Sequence, residues 1–144
     1  MDTYDAWLAD FRTRLAQHDA GVAALARDLA SRTPWRVHAV GSPGFDAPPA
    51  TAGQPADVHC EREGVRPPLC FEVELPETLV RRSTLARLRA LTDHGIEPRV
   101  VLVASPWDHE QRIAEARRLL ARAGLALAVA AIAPDEERIT GADW

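Results

Sequence analysis

The sequence contains no lysine, and all 17 of its Lys and Arg residues are arginine. Arginine keeps its proton at physiological pH, so any role that needs a titratable lysine amine is excluded. The 21 Asp and Glu residues outnumber the arginines and give a formal net charge of −4. This charge argues against a protein that coats nucleic acid over its whole surface, but it is compatible with a local basic patch.

Cysteine and long apolar runs are also scarce. Cys60 and Cys70 are the only two cysteines, and we expect them on opposite faces of a sheet as free, buried thiols. No Cys or His set at short spacing accompanies them, which excludes a zinc site of that type. No run reaches 18 apolar residues, and the N-terminus lacks the basic start and apolar block of a secretory signal. We therefore expect a cytoplasmic protein without a membrane span.

The length of 144 residues and the apolar content of 47% predict a single domain over residues 1–144. An N-terminal helical segment is predicted over residues 3–31, with Gly21 either interrupting or only weakening it. Its apolar residues recur at helical spacing in two stripes, which are Trp7, Leu8, Phe11 and Leu15, then Val22, Leu25, Ala26 and Leu29. Pro34 ends the segment, because the residue before a proline disfavours the helical conformation.

Three strands are predicted next. The first covers 35–40, the second 55–61 and the third 69–75, with a Gly- and Pro-rich loop over 41–54 and a turn over 62–68. The remaining predicted elements are, in order, a helix over 76–94, a strand over 99–104, a helix ending at 123, a strand over 125–133 and a polar tail over 134–144. This order, α-β-β-β-α-β-α-β, predicts an α/β fold with one mixed sheet of about five strands and helices on both faces.

Carboxylates concentrate on the second and third predicted strands. Glu72 and Glu74 share one face, because side chains alternate along a strand. A hairpin register that pairs His59 with Glu72 and Asp57 with Glu74 puts all four side chains on one face, and this register is an assumption. Three carboxylates on one face repel one another unless a cation lies among them, and Mg²⁺ is held by such oxygen ligands. His59 is more often a packing residue than a ligand.

The element order, the run Pro55-Ala56-Asp57 and the run Glu72-Val73-Glu74, with a helix directly after them, resemble the PD-(D/E)xK nuclease-like superfamily. This superfamily includes restriction endonucleases and Holliday-junction resolvases. The resemblance covers about residues 20–133 and implies a restriction endonuclease-like core. By position it implies that Asp57 and Glu72 are ligands of Mg²⁺ or Mn²⁺ in an enzyme that cleaves DNA.

Glu74 stands where the superfamily carries its catalytic lysine. Some restriction enzymes of the superfamily have Glu at this place, so Glu74 is a candidate base or third ligand. Alternatively, Arg87 of the following helix supplies positive charge, although it cannot take a proton. Resolvase-like members also use an acid on the first helix. The matching region here, residues 22–25, has none, and Asp28 lies one turn late.

Two functions remain open at this point. The first is a metal-dependent DNA phosphodiesterase in which Arg81 and Arg82 contact the DNA backbone. The second is a catalytically inactive nuclease-like fold that serves as a binding or assembly module. The arginines are equally compatible with an ordinary solvated helix face, and Asp57 with an ordinary strand-start residue. A homodimer is also open, because dimers are common in the superfamily, although no residue here demonstrates one.

Overall fold

The structure, a computed structural model, describes residues 2–32 and 34–143. Its helices and strands are, in chain order, α1 (Thr3–Arg32), β1 (Arg36–Ala39), β2 (Ala50–Thr51), β3 (Gln54–Pro55), β4 (Val58–Arg62), β5 (Val65–Glu74), α2 (Arg82–Asp93), β6 (Arg99–Val103), α3 (His109–Arg122), β7 (Ala128–Ala133) and β8 (Arg138–Thr140). A short 3₁₀ turn, Pro76–Thr78, separates β5 from α2.

Six of these strands form one mixed sheet in the order β1-β4-β5-β6-β7-β8. The first three strands pair antiparallel, β5, β6 and β7 pair parallel, and β8 pairs antiparallel with β7. The parallel pairs follow from the helices α2 and α3, because each helix provides the crossover that a parallel connection needs. The prediction of an α/β fold with one mixed sheet is confirmed, although the sheet has six strands instead of about five.

Helices cover both faces of the sheet, as predicted. The core under α1 includes Val22, Leu25, Leu29, Phe71, Val73, Val101 and Ile132. The core under α2 and α3 includes Leu88, Val100, Leu102, Ile113, Leu120 and Val129. Alternate residues of β6 therefore enter opposite cores, which explains why this strand is a continuous apolar run.

Gly21 lies inside α1, which continues through it as one helix of 30 residues. A Cβ atom added at Gly21 would lie 2.5 Å from Val103 Cγ2 and 3.2 Å from Val73 Cγ1. The glycine therefore lets the helix approach the sheet closely, and it does not interrupt the helix. All buried residues of α1 lie between Gly21 and Leu29. The first half of the helix, with the stripe that includes Trp7, is largely exposed.

The turn between β4 and β5 is shorter than predicted. Gly64 adopts a left-handed conformation with φ of +79°, which permits a tight turn, and β5 already begins at Val65. Pro67 and Pro68, which lie in the predicted turn, belong to β5, although proline is rare inside strands. The ladder shifts register between Cys60 and Arg62, and this irregularity accommodates the two prolines.

The predicted register of this hairpin is wrong by two residues. His59 pairs with Cys70 and not with Glu72, and the same shift removes the predicted pairing of Asp57 with Glu74. A shift of two residues preserves the face on which each side chain lies, whereas a shift of one would reverse it. His59, Glu72 and Glu74 therefore lie on one face despite the wrong pairing, whereas Asp57 lies before β4 and outside the ladder.

Two regions without predicted strands contain short ones. Residues 41–54, predicted to be a loop, include the start of the hairpin of β2 and β3, in which Thr51 pairs with Gln54. The polar tail contains β8, in which Ile139 pairs with Ile132 of β7. Strands of two or three residues are too short to produce a recognisable alternation of apolar and polar residues.

The two cysteines lie on opposite faces of the sheet and are free, as predicted. Cys60 belongs to the core under α1, whereas Cys70 packs with Leu91 and Ile96 on the other side. Burial raises the pKa of Cys60 to about 12 and that of Cys70 to about 11. Both side chains are therefore neutral thiols that fill the core.

Candidate functional site

The three predicted carboxylates meet where β4 begins and β5 ends. Asp57 lies just before β4, and its Oδ2 atom accepts a hydrogen bond of 2.8 Å from the backbone N–H of Val73. Val73 lies between Glu72 and Glu74 along β5. Burial is the largest cause that raises the pKa of both glutamates, and the charge of the nearby Asp57 carboxylate raises it further.

His18 of α1 joins this group, although the sequence analysis did not predict it. Its Nε2 atom lies 3.3 Å from Asp57 Oδ2, and its Nδ1 atom lies 3.2 Å from Asp19 Oδ1. The hydrogen bond to Asp57 is the main cause that raises the pKa of His18 to about 9, against the opposing effect of burial. The imidazole is therefore a cation at neutral pH.

The acid considered on the first helix is not part of the site. Asp28 forms an ion pair of 2.8 Å with Arg32, one turn further along α1. The useful signal in the sequence is the position of His18, three residues before Gly21, where α1 packs closely against Val103 of β6 and Val73 of β5. That approach is a tertiary contact, which the helical pattern alone does not reveal.

Glu72 forms a buried ion pair with Arg87 of α2. The Nε atom of Arg87 donates to Glu72 Oε1 at 3.1 Å, and the two residues are only 7% and 8% exposed. The other guanidinium nitrogens of Arg87 donate to the backbone oxygens of Thr51 (2.6 Å), Ala52 (3.4 Å) and Gln54 (2.9 Å). Arg87 therefore connects α2 to the β2–β3 hairpin, and its described hydrogen bonds all go to protein oxygens.

Glu72 has an unusual protonation equilibrium. Burial is the largest cause that raises its pKa, to about 8, and repulsion by Asp57 adds to it. The charge of Arg87 and its hydrogen bond to Glu72 oppose this rise. Glu72 is thus a carboxyl group that exchanges its proton near neutral pH, a property that is common in functional sites.

Glu74 is oriented by the 3₁₀ turn that follows β5. Thr78 Oγ1 donates a hydrogen bond of 2.6 Å to Glu74 Oε2. Thr78 Oγ1 also accepts a hydrogen bond of 3.1 Å from the backbone N–H of Leu75. Burial raises the pKa of Glu74, while the hydrogen bond from Thr78 opposes the rise. The side chain is half-buried.

A groove of about 220 Å³ reaches Glu74 and His18 from the surface. Phe11 and Leu15 of α1 line one side of it, and Arg81 lines the other. Arg82, the first residue of α2, is exposed but does not line this groove. Of the two arginines predicted to contact DNA, Arg81 is thus the one that shares a groove with Glu74.

Asp57 and Glu72 are oxygen ligands of the type that a hard divalent cation takes, but among the described residues the site is not a complete metal centre. Mg²⁺ is commonly held by one or two carboxylates, with water and substrate phosphate as its other ligands, and Asp57 and Glu72 supply that number. Within residues 2–32 and 34–143, no three His, Cys, Asp or Glu side chains form a ready metal centre. Two cationic side chains, His18 and Arg87, instead pair with the carboxylates.

His59 belongs to a different cluster on the same face of the sheet. Its Nε2 atom lies 3.2 Å from Glu61 Oε1, its Nδ1 atom lies 3.8 Å from Cys70 Sγ, and its ring meets that of His38 edge-on at 5.8 Å. Burial lowers the pKa of His59. His59 is therefore better described as a packing residue than as a ligand beside Glu72.

No protein-family model matches the sequence, and no curated protein matches it. In the part of the chain that the structure describes, no helix is long and apolar enough to cross a membrane. Any function must accordingly be inferred from the geometry of the site itself.

Proposed function

We propose that the protein is a metal-dependent phosphodiesterase that acts on DNA in the cytoplasm, built on a restriction endonuclease-like core. The hydrogen bond from the Val73 N–H to Asp57 carries this proposal, because it holds Asp57 beside Glu72 and Glu74 of the neighbouring strand. The arrangement of α1, three antiparallel strands, α2 and the parallel strand β6 supports the same core.

In this proposal Asp57 and Glu72 hold a Mg²⁺ or Mn²⁺ ion. When bound, such an ion polarises the scissile phosphate and activates the attacking water. His18 hydrogen-bonds to Asp57 and Arg87 to Glu72, so each of these basic residues orients one of the carboxylates. Arg87 is buried against Glu72 and the β2–β3 hairpin, so we assign it a positioning role.

Glu74 acts as the general base in place of the absent lysine. Burial raises its pKa towards neutrality, which increases the affinity of the carboxylate for the proton of an attacking water. Thr78 fixes the orientation of the carboxylate through its short hydrogen bond. Arg81 stands at the edge of the groove, where its guanidinium can pair with a backbone phosphate, and the exposed Arg82 extends this positive surface.

A second candidate function is a binding or assembly module without catalysis. The buried contact between Glu72 and Arg87 favours it, because the guanidinium already takes up the carboxyl group that the metal ion would need. The complete absence of lysine favours it as well.

A cleavage assay separates the two functions. Linear, supercoiled, single-stranded and branched DNA are each incubated with the protein and either Mg²⁺ or Mn²⁺, alongside the variants Asp57→Asn and Glu74→Gln. Glu63→Gln serves as the control, since Glu63 is an exposed acid in the β4–β5 turn. We expect cleavage by the wild type and the control, and a loss of at least about a hundredfold in the two site variants.

The opposite result is equally informative. If no DNA were cleaved but DNA binding persisted in a mobility-shift assay, the proposed enzymatic function would be overturned and the binding module favoured. Cleavage that is equal in all four proteins would indicate a contaminating nuclease and reject the site.

A further inference from the structure

The first half of α1 presents an apolar stripe to solvent. Four of its residues are 44–65% exposed, and they recur at helical spacing: Tyr4, Trp7, Phe11 and Leu15. The three aromatic rings stack along the helix, with centroids 6.1 Å apart between Tyr4 and Trp7 and 5.6 Å apart between Trp7 and Phe11. The stripe is thus a preformed ridge of rings, and large exposed apolar patches of this kind usually mark an interaction surface.

This half of the helix has little packing within its own chain. Fully buried residues of α1 begin at Gly21, so about 27 Å of helix, at 1.5 Å per residue, precedes them, and its described polar contact with the sheet region is that of His18 with Asp57. A helical segment of this length is only marginally stable in water unless its apolar face packs against something. The stripe therefore calls for a partner surface of similar length.

We propose that α1 pairs antiparallel with α1 of a second copy of this chain, and that the pair buries this stripe in a twofold-symmetric dimer. In such a pair the stripe is its own complement, because a twofold axis near its middle brings its two ends against each other. Tyr4 of one copy then lies near Leu15 of the other. The inference goes beyond the proposed function, and the dimer would also cover part of the groove that reaches Glu74, because Phe11 and Leu15 line it.

The charges on one flank of the stripe favour the antiparallel arrangement, whereas Asp10 and Arg14 on the other flank pair within their own helix. Asp5 and Arg12 are seven residues apart, so they lie on the same flank of the helix, two turns from each other. An antiparallel pair brings equal flanks together and therefore places Asp5 of each copy beside Arg12 of the other. A parallel pair would instead bring the acidic ends, with Asp2 and Asp5, together and repel.

The same charges argue against nucleic acid as the occupant of the ridge. Asp2, Asp5 and Asp10 all lie along the half of α1 that carries the rings. Aromatic platforms for single-stranded nucleic acid combine rings with a positively charged groove, and here the three carboxylates outnumber Arg12 and Arg14 of the same half.

Sedimentation velocity of the full-length protein over a wide concentration range tests the proposal. We expect a monomer–dimer equilibrium in the wild type and a monomer in the double variant Trp7→Ala/Phe11→Ala. Asp5→Arg and Arg12→Asp should each weaken the dimer about tenfold, because each places like charges together at both ends of the pair. A mixture of these two variants should form a heterodimer of nearly wild-type affinity.

Arg118→Asp is the matched control, because Arg118 is an exposed arginine on α3 and far along the chain from the stripe. Circular dichroism and thermal melting check that each variant remains folded, which is expected because the substituted residues lie outside the core. A wild type that stays monomeric at every concentration would overturn the proposal, and so would a dimer that survives Trp7→Ala/Phe11→Ala. If Asp5→Arg and Arg12→Asp each formed a homodimer with wild-type affinity, the antiparallel arrangement would be rejected.

Discussion

Asp57 and Val73 are joined by a hydrogen bond of 2.8 Å, in which the backbone N–H of Val73 donates to the Asp57 carboxylate. The same carboxylate oxygen lies 3.3 Å from Nε2 of His18. One side chain thus connects the start of β4, the end of β5 and the helix α1. Every role that we propose for the neighbouring carboxylates depends on this connection.

The first prediction concerns the pH dependence of stability. The pKa of His18 is raised from 6.5 to about 9 in the folded protein. Its contribution to the free energy of unfolding is therefore complete below pH 6.5 and is lost as the pH rises through about 9. We expect His18→Gln to lower the free energy of unfolding by about 1–2 kcal/mol at pH 6.5, because the side chain keeps 29% exposure and solvent screens the pair.

Urea unfolding of the wild type and His18→Gln along this pH range measures the effect. The difference between the two proteins should shrink towards zero above pH 9. Because the pKa of Glu72 is raised, the free energy of unfolding also falls as the pH rises from 4.5 to about 8. This fall occurs in both proteins and therefore cancels in the difference between them. A difference that stays constant with pH would show that His18 has no raised pKa.

The second prediction concerns the buried pair of Glu72 and Arg87. Arg87→Met should lower the free energy of unfolding by about 3–5 kcal/mol, because it leaves a buried carboxyl group and backbone carbonyls without their donor. The double variant Glu72→Leu/Arg87→Met should recover part of this loss, because it also removes the unpaired acid. The measurement is urea unfolding at neutral pH.

Arg89→Met is the control for this experiment. Arg89 lies on the same helix, is exposed, and donates to the backbone oxygen of Ala123 at 2.9 Å. We expect it to cost at most about 1 kcal/mol. Equal effects of Arg87→Met and Arg89→Met would contradict the central position that we assign to Arg87.

The third prediction concerns Gly21. In an open helix a change from glycine to alanine stabilises by about 1 kcal/mol, but here the new Cβ would meet Val103 Cγ2 at 2.5 Å. We therefore expect Gly21→Ala to destabilise by about 1–3 kcal/mol. In a double-mutant cycle with Val103→Ala, which removes the clashing methyl groups, the cost of Gly21→Ala should fall. A stabilising Gly21→Ala in the wild-type background would mean that α1 does not approach the sheet so closely.

Part of the candidate site was predictable from the sequence, because it depends on local periodicity. Glu72 and Glu74 alternate with apolar residues, and a register error of two residues leaves His59 on their face. The position of Asp57, just before β4, instead depends on its hydrogen bond from Val73. The end of α2 was predictable for a separate, local reason. Gly95 follows α2 and has a left-handed conformation with φ of +76°, which is common at helix ends.

The remaining features depend on contacts between distant segments. The burial of Arg87 follows from Glu72 and from the β2–β3 hairpin, whose strands are too short to recognise in the sequence. The contact of His18 with Asp57 follows from the path of α1 over the sheet. Periodicity also identifies the stripe around Trp7, but it cannot tell whether such a stripe faces its own core or another molecule.

The most direct test of the central claim is a calorimetric titration of Mn²⁺ into the wild type, the double variant Asp57→Asn/Glu72→Gln and the control Glu63→Gln. We predict binding to the wild type and the control, with proton release near neutral pH because Glu72 must lose its proton first. The double variant should show no binding. Absence of binding to the wild type, or equal binding to all three proteins, would contradict a metal site at Asp57 and Glu72.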